Sequence, residues 1–327
     1  MTSLQRILLV RQTSGKRETG MIGVYGANGF IGRHLVRRLA ERGRTVRAVS
    51  RSYGADFVQP LAAKIDFVEA DFREPLPIAS TLVGIDTVVQ LISTSSPALQ
   101  NRFATADIKD NVIPHVDFMQ SAVQAGVRRY IFISSGGTVY GPTDRVPISE
   151  DATTTPISSH GLTKLTIEKY LQMYGHLEGL EYVILRVANP FGPGQAFRKG
   201  QGLIPAALAR YRAGQPIDIV GEGRAVRDYL YIDDLVDAIV AAIDRPEAAK
   251  TIINVGSGIG RSVVEVLDAI EAELGRVLLR RPAADRSTDV DRNILDIARA
   301  RESLGWSPKI PFDAGIEWTV RAFLQQP

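Results

Sequence analysis

Six segments of the chain are short and almost continuously apolar: "MIGVY" from residue 21, "TVRAV" from 45, "IDFVEA" from 65, "DTVVQL" from 86, "RYIFIS" from 129 and "YVILRV" from 182. Their length and β-branched content predict strands buried on both faces. Between them, apolar residues return every three or four positions in "FIGRHLVRRLAER", "DNVIPHVDFMQSAVQAG" and "LTKLTIEKYLQMY", which predicts helices. Strand and helix in alternation imply parallel strands with right-handed crossovers, hence an open, doubly wound α/β sheet. After about residue 190 the rhythm loosens, and Gly and Pro gather at "NPFGPGQ" and "GEGRAVRD". The expected organisation is a polar N-terminal extension over 1–20, a mainly dinucleotide-binding domain over 21–190, and a smaller α/β substrate lobe over 191–327 with some segments returning to the first domain.

Composition narrows the function without choosing it. A chain of 327 residues, 45% hydrophobic and 23% charged, can bury a large core. Its net charge of +3 is spread over basic residues interleaved with acids. With no basic run and no aromatic ladder, nucleic acid is not an expected partner. The absence of cysteine excludes disulfides and thiolate chemistry. No apolar stretch approaches the roughly 20 residues that cross a bilayer, and the start lacks a secretory pattern, so a cytoplasmic protein with no membrane insertion is expected. No internal repeat or low-complexity tract is visible.

The first chemical motif is "GVYGANGFIG". Gly26, Gly29 and Gly32, with Asn28, Phe30 and Ile31 between them, follow the first strand and open a helix. Glycines there let the chain turn tightly and bring backbone amides against a pyrophosphate at the positive end of the helix. The second strand ends in Ser50 and Arg51, where an acid would bind both ribose hydroxyls. A small polar residue followed by arginine suits a 2′-phosphate, so the cofactor is NAD or NADP with a lean to NADP. Asp71, after the third strand, is placed to accept from an adenine amino group or to cap its own turn. Phe72 and Leu91 complete the candidate cofactor set.

The order "GANGFIG", "FISSGGTVYG", "SSHGLTKLTIEKYL", "LRVANPFGPGQ", "VRDYLYIDDLVDAI" and "LGWSPKIPFDAGI" resembles the extended short-chain dehydrogenase/reductases. Within them the chain is most similar to the nucleotide-sugar epimerases of the UDP-glucose 4-epimerase kind and their dehydratase and reductase relatives. The resemblance spans residues 21 to about 325 and implies a Rossmann-type sheet. It implies that Lys164 holds the nicotinamide ribose and lowers the pKa of its catalytic partner. Asn189 would touch the sugar nucleotide, and Leu203 would offer a backbone amide to its diphosphate. Val220 would line the base pocket, Arg227 and Arg286 would clamp the diphosphate, and Asp289 would lie near the nucleotide ribose. The implied partner is a nucleoside-diphosphate sugar, a UDP-hexose above others. The implied assembly is a homodimer through the helices around 108–125 and 161–174.

Two departures matter. His160 stands where the family pattern Tyr-x-x-x-Lys has its tyrosine, and Gly136 stands where it has a Ser or Thr. Thr138, or else Ser135, would have to supply the missing hydroxyl, and Thr138 is preferred. A histidine starts near pKa 6.5, and positive neighbours push it lower, so a neutral imidazole would take and return the proton of a sugar hydroxyl. The expected reaction is 4-epimerisation through a 4-keto sugar, with His160, Lys164 and Thr138 as the catalytic set. An NADPH-dependent 4-keto-sugar reductase and a nucleotide-sugar-binding protein without turnover remain open, while the missing Asp-Glu pair puts a dehydratase lower. His34, His115 and His176 are expected in solvated or core roles without partners, and no metal site is expected.

Overall fold

The structure is a computed structural model that describes residues 20–94, 104–197, 202–283 and 290–326. Strands are numbered along the chain. β1 (Met21–Tyr25), β2 (Val46–Ser50), β3 (Ile65–Glu69), β4 (Ile85–Gln90), β5 (Arg129–Ser135) and β6 (Glu181–Val187) are the six expected from the apolar runs. A seventh, β10 (Thr251–Val255), joins them in the order β10-β6-β5-β4-β1-β2-β3, every pair parallel. β10 comes from the part expected to be mainly substrate lobe, and its "TIINV" buries its last three residues against β6.

Both faces of the sheet are covered, which is why its strands are apolar at consecutive positions. On one face Ile131 and Leu185 share a core with Leu35 and Leu39 of α1 (Phe30–Glu41) and with Leu235 and Ile239. On the other, Phe132 and Ile184 meet Phe118 and Met119, with Ile167 and Leu171 beside them. Strand order reverses at β1, which has β2 on one side and β4 on the other. A crevice for ligands opens at such a switch point, beyond the carboxyl ends of the strands.

Two helical stretches frame that crevice. Along the first, α4 (Ala104–Asp107) passes through a π-helical turn over Ile108–Val112 into α5 (Ile113–Gln124). Pro114 has no N–H for the carbonyl four residues back, and the helix opens by one residue just before it. The second is α6 (Ser159–Leu177), capped by Ser158, whose hydroxyl oxygen accepts from the Gly161 amide at 3.2 Å.

The smaller lobe is built around β9 (Val226–Tyr231). It pairs antiparallel with β11 (Gly260–Ser262), and parallel with β7 (Asn189–Phe191) and β13 (Arg292–Asn293). β8 (Ile217–Val220) and β12 (Arg280–Ala283) form a separate parallel pair. At the end of β13 the chain reaches back to the end of β5: Asn293 Nδ2 donates to the Gly136 carbonyl at 3.0 Å, and Leu295, just after it, is fully buried.

Candidate active site

The cradle at the switch point follows from its glycines. Gly26 sits at φ +89°, in the region L side chains avoid. A Cβ on Gly32 would lie 2.3 Å from the Gly26 carbonyl oxygen, so helix and turn approach as closely as backbone allows. Gly29 begins α1 without a side-chain cap, which leaves amides at the start of the helix open to an anion. Asn28 fixes the turn: its Nδ2 donates to the Ser52 carbonyl at 2.9 Å, and its Oδ1 accepts from Arg33 Nε at 2.9 Å. Phe30 and Ile31 lie in the first turn of α1. The Leu91 amide donates to the Tyr25 carbonyl at 2.9 Å, beside the Gly26 turn. These residues fit a dinucleotide.

At the rim, Ser50 ends β2 and Arg51 is exposed. Asp71 accepts from the Arg73 amide at 3.0 Å and from its guanidinium at 3.1 and 2.8 Å, and Arg73 holds its carboxyl down to about 2. It therefore caps its own turn, and the carboxylate is ionised at neutral pH. The Phe72 ring turns into the core against His115 and Phe118.

Across the crevice, His160 and Lys164 lie one turn apart on α6. Lys164 is buried; its Nζ donates to the Ile133 carbonyl at 2.9 Å and stands 4.7 Å from the centre of the Phe132 ring. Burial brings its pKa down to about 8, against the pull of Glu168 and Asp107. His160 is partly exposed, yet dehydration and then the Lys164 charge depress its imidazole to about 4, with Asp107 working the other way. At neutral pH the pair is a neutral imidazole beside an ammonium.

The surroundings of Gly136, the residue that follows β5, explain the missing hydroxyl. A Cβ on Gly136 would lie 2.6 Å from Leu295 Cδ1 and 3.1 Å from the Arg186 carbonyl, so Leu295 fills the space that a side chain at 136 would need. Thr138 is better placed than Ser135 by one sign: its Oγ1 is buried without a hydrogen-bond partner among the described residues. A hydroxyl left unmatched in the protein alone is available to a ligand. The first turn of α6 presses on the same residue, since a Cβ on Gly161 would meet the Thr138 carbonyl oxygen at 2.5 Å.

Four participants carried no readable sequence signal or a weak one. Asp107 is fully buried; it accepts from Ser159 Oγ at 2.7 Å and Thr163 Oγ1 at 3.0 Å, and from Asn111 Nδ2 at 2.8 Å. Asn111 in turn accepts from the amide and hydroxyl of Thr94 at 2.9 and 3.1 Å. Behind Lys164, Glu168 and Arg186 form a buried pair, with Arg186 Nη2 donating to Oε2 at 2.7 Å and Ser134 Oγ donating to Oε1. Glu168 was findable: it falls on the buried stripe Lys164, Ile167, Leu171, where an unpaired charge is not tolerated.

The histidines outside the site correct one expectation. His34 has partners: its Nε2 lies 3.0 Å from the Pro193 carbonyl and its Nδ1 3.6 Å from Asp233, tying α1 to the smaller lobe. His115 is buried, with Nδ1 2.6 Å from the Asn111 carbonyl and a pKa depressed to about 3 by dehydration and then by Lys164. His176 is exposed.

Of the expected substrate residues, Asn189 and Arg227 meet on the β7, β9 and β13 sheet. Asn189 Nδ2 donates to the Asp228 carbonyl at 2.8 Å, and Arg227 Nη1 to the Val226 carbonyl at 2.9 Å. Val220 ends β8, and Leu203 begins α7 (Leu203–Arg212), whose N-terminus has no side-chain cap. Arg286 and Asp289 lie outside the described residues.

The profile of the NAD dependent epimerase/dehydratase family matches residues 22–256. The chain belongs to that family. Among curated relatives, the dTDP-4-dehydro-6-deoxyglucose reductase of Escherichia coli is 32% identical over 312 residues, covering 94% of this chain and 98% of the relative. Family structures superpose closely. The UDP-glucose 4-epimerase of Thermotoga maritima, solved with UDP-glucose, has TM-score 0.85 at 31% identity, covering 93% of this chain and 99% of that one. The UDP-glucose 4-epimerase of Thermus thermophilus, solved with NAD, has TM-score 0.86 at 28% identity, with the same 93% and 99% coverage.

Proposed function

We propose that this chain is an NAD(P)-dependent 4-epimerase of a UDP-hexose, working through a 4-keto sugar. The observation that carries the reading is the grouping of a neutral imidazole, a buried ammonium and a hydroxyl unmatched among the described residues around the first turn of α6, across the crevice from the cradle. When bound there, a nicotinamide supplies a hydride acceptor and donor at C4. His160 would take the proton of the 4-hydroxyl as the hydride on the sugar's C4 leaves, giving the 4-keto sugar, and would return it when hydride comes back to the other face. Lys164 holds the cofactor ribose and keeps His160 unprotonated. Thr138 donates to, or accepts from, the reacting oxygen. Arg227 and the open amide end at Leu203 suit the diphosphate. The UDP-glucose and NAD in the two related structures support the ligand pair.

The direct test is conversion of UDP-glucose to its 4-epimer, with mass spectrometry of nucleotide carried through purification. Tightly retained NAD accompanies an epimerase. Retained sugar nucleotide without turnover would instead mark a binding protein.

A second reading, an NADPH-dependent 4-keto-sugar reductase, is favoured by the name of the E. coli relative and by the basic rim of the cradle, Arg51 and Arg33. If Arg51 meets a 2′-phosphate, Arg51→Glu weakens NADPH by about 1 to 3 kcal/mol more than NADH in titration calorimetry, the size of a charge-assisted contact. Equal small losses for the two cofactors would remove the NADP assignment.

The exposed apolar side chains of the two framing helices suit a homodimer. Ile108 and Ile113 are 49% and 50% exposed, and Leu162 and Met173 on α6 are 54% and 40% exposed. Covering them with their copies removes that surface from water. Light scattering at micromolar concentration is expected to give twice the chain mass, and a monomer would count against the assignment.

A further inference from the structure

Among the described residues, three fully buried carboxylates, Asp107, Glu168 and Asp228, take no part in the mechanism, and Asp107 is the one bonded to the turn that carries His160. Asp107 closes α4 at the edge of the π-helical turn, and its hydrogen bonds converge on the turn of α6 that bears His160. Oδ2 accepts from Ser159 Oγ at 2.7 Å and from Thr163 Oγ1 at 3.0 Å, the residues just before His160 and just before Lys164. Oδ1 accepts from Asn111 Nδ2 at 2.8 Å. All of these donors are uncharged. These hydrogen bonds hold the carboxylate against the first turn of α6, which carries the one imidazole that the reaction uses.

We infer that Asp107 is the positioning residue of His160, a buried carboxylate that fixes the first turn of α6 and supports the imidazole as a base. The inference rests on the epimerase reading, since it concerns how His160 performs its proton transfer. Among the described residues the charges that bear on His160 are Lys164, from its own helix, and Asp107, from α4. Lys164 in turn faces Glu168 on α6 and His115 on α5. Lys164 opposes protonation and Asp107 favours it. Burial and then the ammonium weaken the imidazole as a base, and the carboxylate restores part of that basicity. With phenol replaced by imidazole at 160, an acidic counterweight is what the chemistry needs.

The test is Asp107→Asn, which keeps the shape and removes the charge. The acid limb of the kcat–pH profile is expected to move to lower pH by about one unit, with the plateau rate falling about tenfold and KM little changed. The His160 imidazole, followed by proton NMR, is expected to titrate correspondingly lower. A carboxylate that serves only as a staple between helices would lower the melting temperature and leave limb and titration where they are, which overturns the inference. Should the variant fail to fold, Ser159→Ala with Thr163→Val carries the test. It strips from the buried carboxylate the two hydroxyl donors that favour its charged form and that tie it to α6, so the limb and the His160 titration are expected to move to lower pH, as in Asp107→Asn; an unmoved limb overturns the inference. The NMR titration separates this from the epimerase reading. If His160→Ala is fully active while Asp107→Asn still lowers the His160 titration, the pairing stands and the catalytic reading falls. If His160→Ala is inactive and Asp107→Asn moves neither limb nor titration, the pairing alone falls.

Discussion

His160→Ala is expected to turn over a UDP-hexose about 10²- to 10⁴-fold more slowly than wild type while binding cofactor and sugar nucleotide unchanged. The magnitude is that of losing a positioned acid–base group, and the preserved binding follows from position. His160 stands on α6, whereas the cradle is made by the Gly26–Gly32 turn, and the residues proposed for the diphosphate, Arg227 and Leu203, stand on β9 and α7. The wild-type profile carries the same information. An imidazole held near 4 is unprotonated throughout the neutral range, so the rate is flat there and falls only as pH drops through about 4. An ordinary histidine would give a limb near 6.5. His160→Tyr, with Lys164 one turn away, should move the profile toward alkaline pH. A His160→Ala enzyme as fast as wild type would mean that catalysis does not pass through this residue.

The largest expected loss of stability comes from Glu168→Ala. Glu168 is fully buried and accepts from Arg186 Nη2 at 2.7 Å and Nε at 3.2 Å, while Arg186 is itself only 2% exposed. Removing one member of such a pair leaves a guanidinium without its counterion in the interior, which costs about 3 to 5 kcal/mol. Urea unfolding reads that loss directly. The comparison variant is Glu317→Ala on the surface of α11 (Phe312–Leu324), where the Arg321 pair is 65% and 40% exposed. It should change stability by no more than about 1 kcal/mol. Equal effects from the two variants would show that the Glu168 pair contributes nothing beyond an exposed one. The same change should also reach the chemistry, because Glu168 helps keep Lys164 charged.

Much of the frame was legible because burial on both faces leaves an unmistakable apolar run. The six strands, the glycine turn and α6 all follow from such local signals. β10 was not picked out, since its short "TIINV" sits inside a region whose Gly and Pro content breaks the rhythm. The π-helical turn was missed because "DNVIPHV" reads as ordinary helix until the missing N–H of Pro114 is taken into account. Asp107 was invisible for a different reason. In "ATADIKDNV" one acid looks like another, and only the fold shows that this one is buried while Asp110 faces outward. Thr138 was preferred over Ser135 in the sequence without a physical reason, and its buried hydroxyl, which has no hydrogen-bond partner among the described residues, supplies one.

Leu295 has a consequence for how this chain can be divided. It fills the space beside Gly136, its amide donates to Asp228 at 3.3 Å, and its neighbours Ile294 and Asp296 bond to Ile148 on both sides. The packing beside Gly136 is thus supplied from more than 150 positions further along the chain than the strand that precedes it. A fragment ending near residue 190 would keep the whole glycine cradle and still lose that packing together with β10. The boundary that looks natural in the sequence is therefore a poor place to cut: a recombinant nucleotide-binding half, or a chimera joined there to another lobe, would inherit the turn after β5 with a hole beside Gly136.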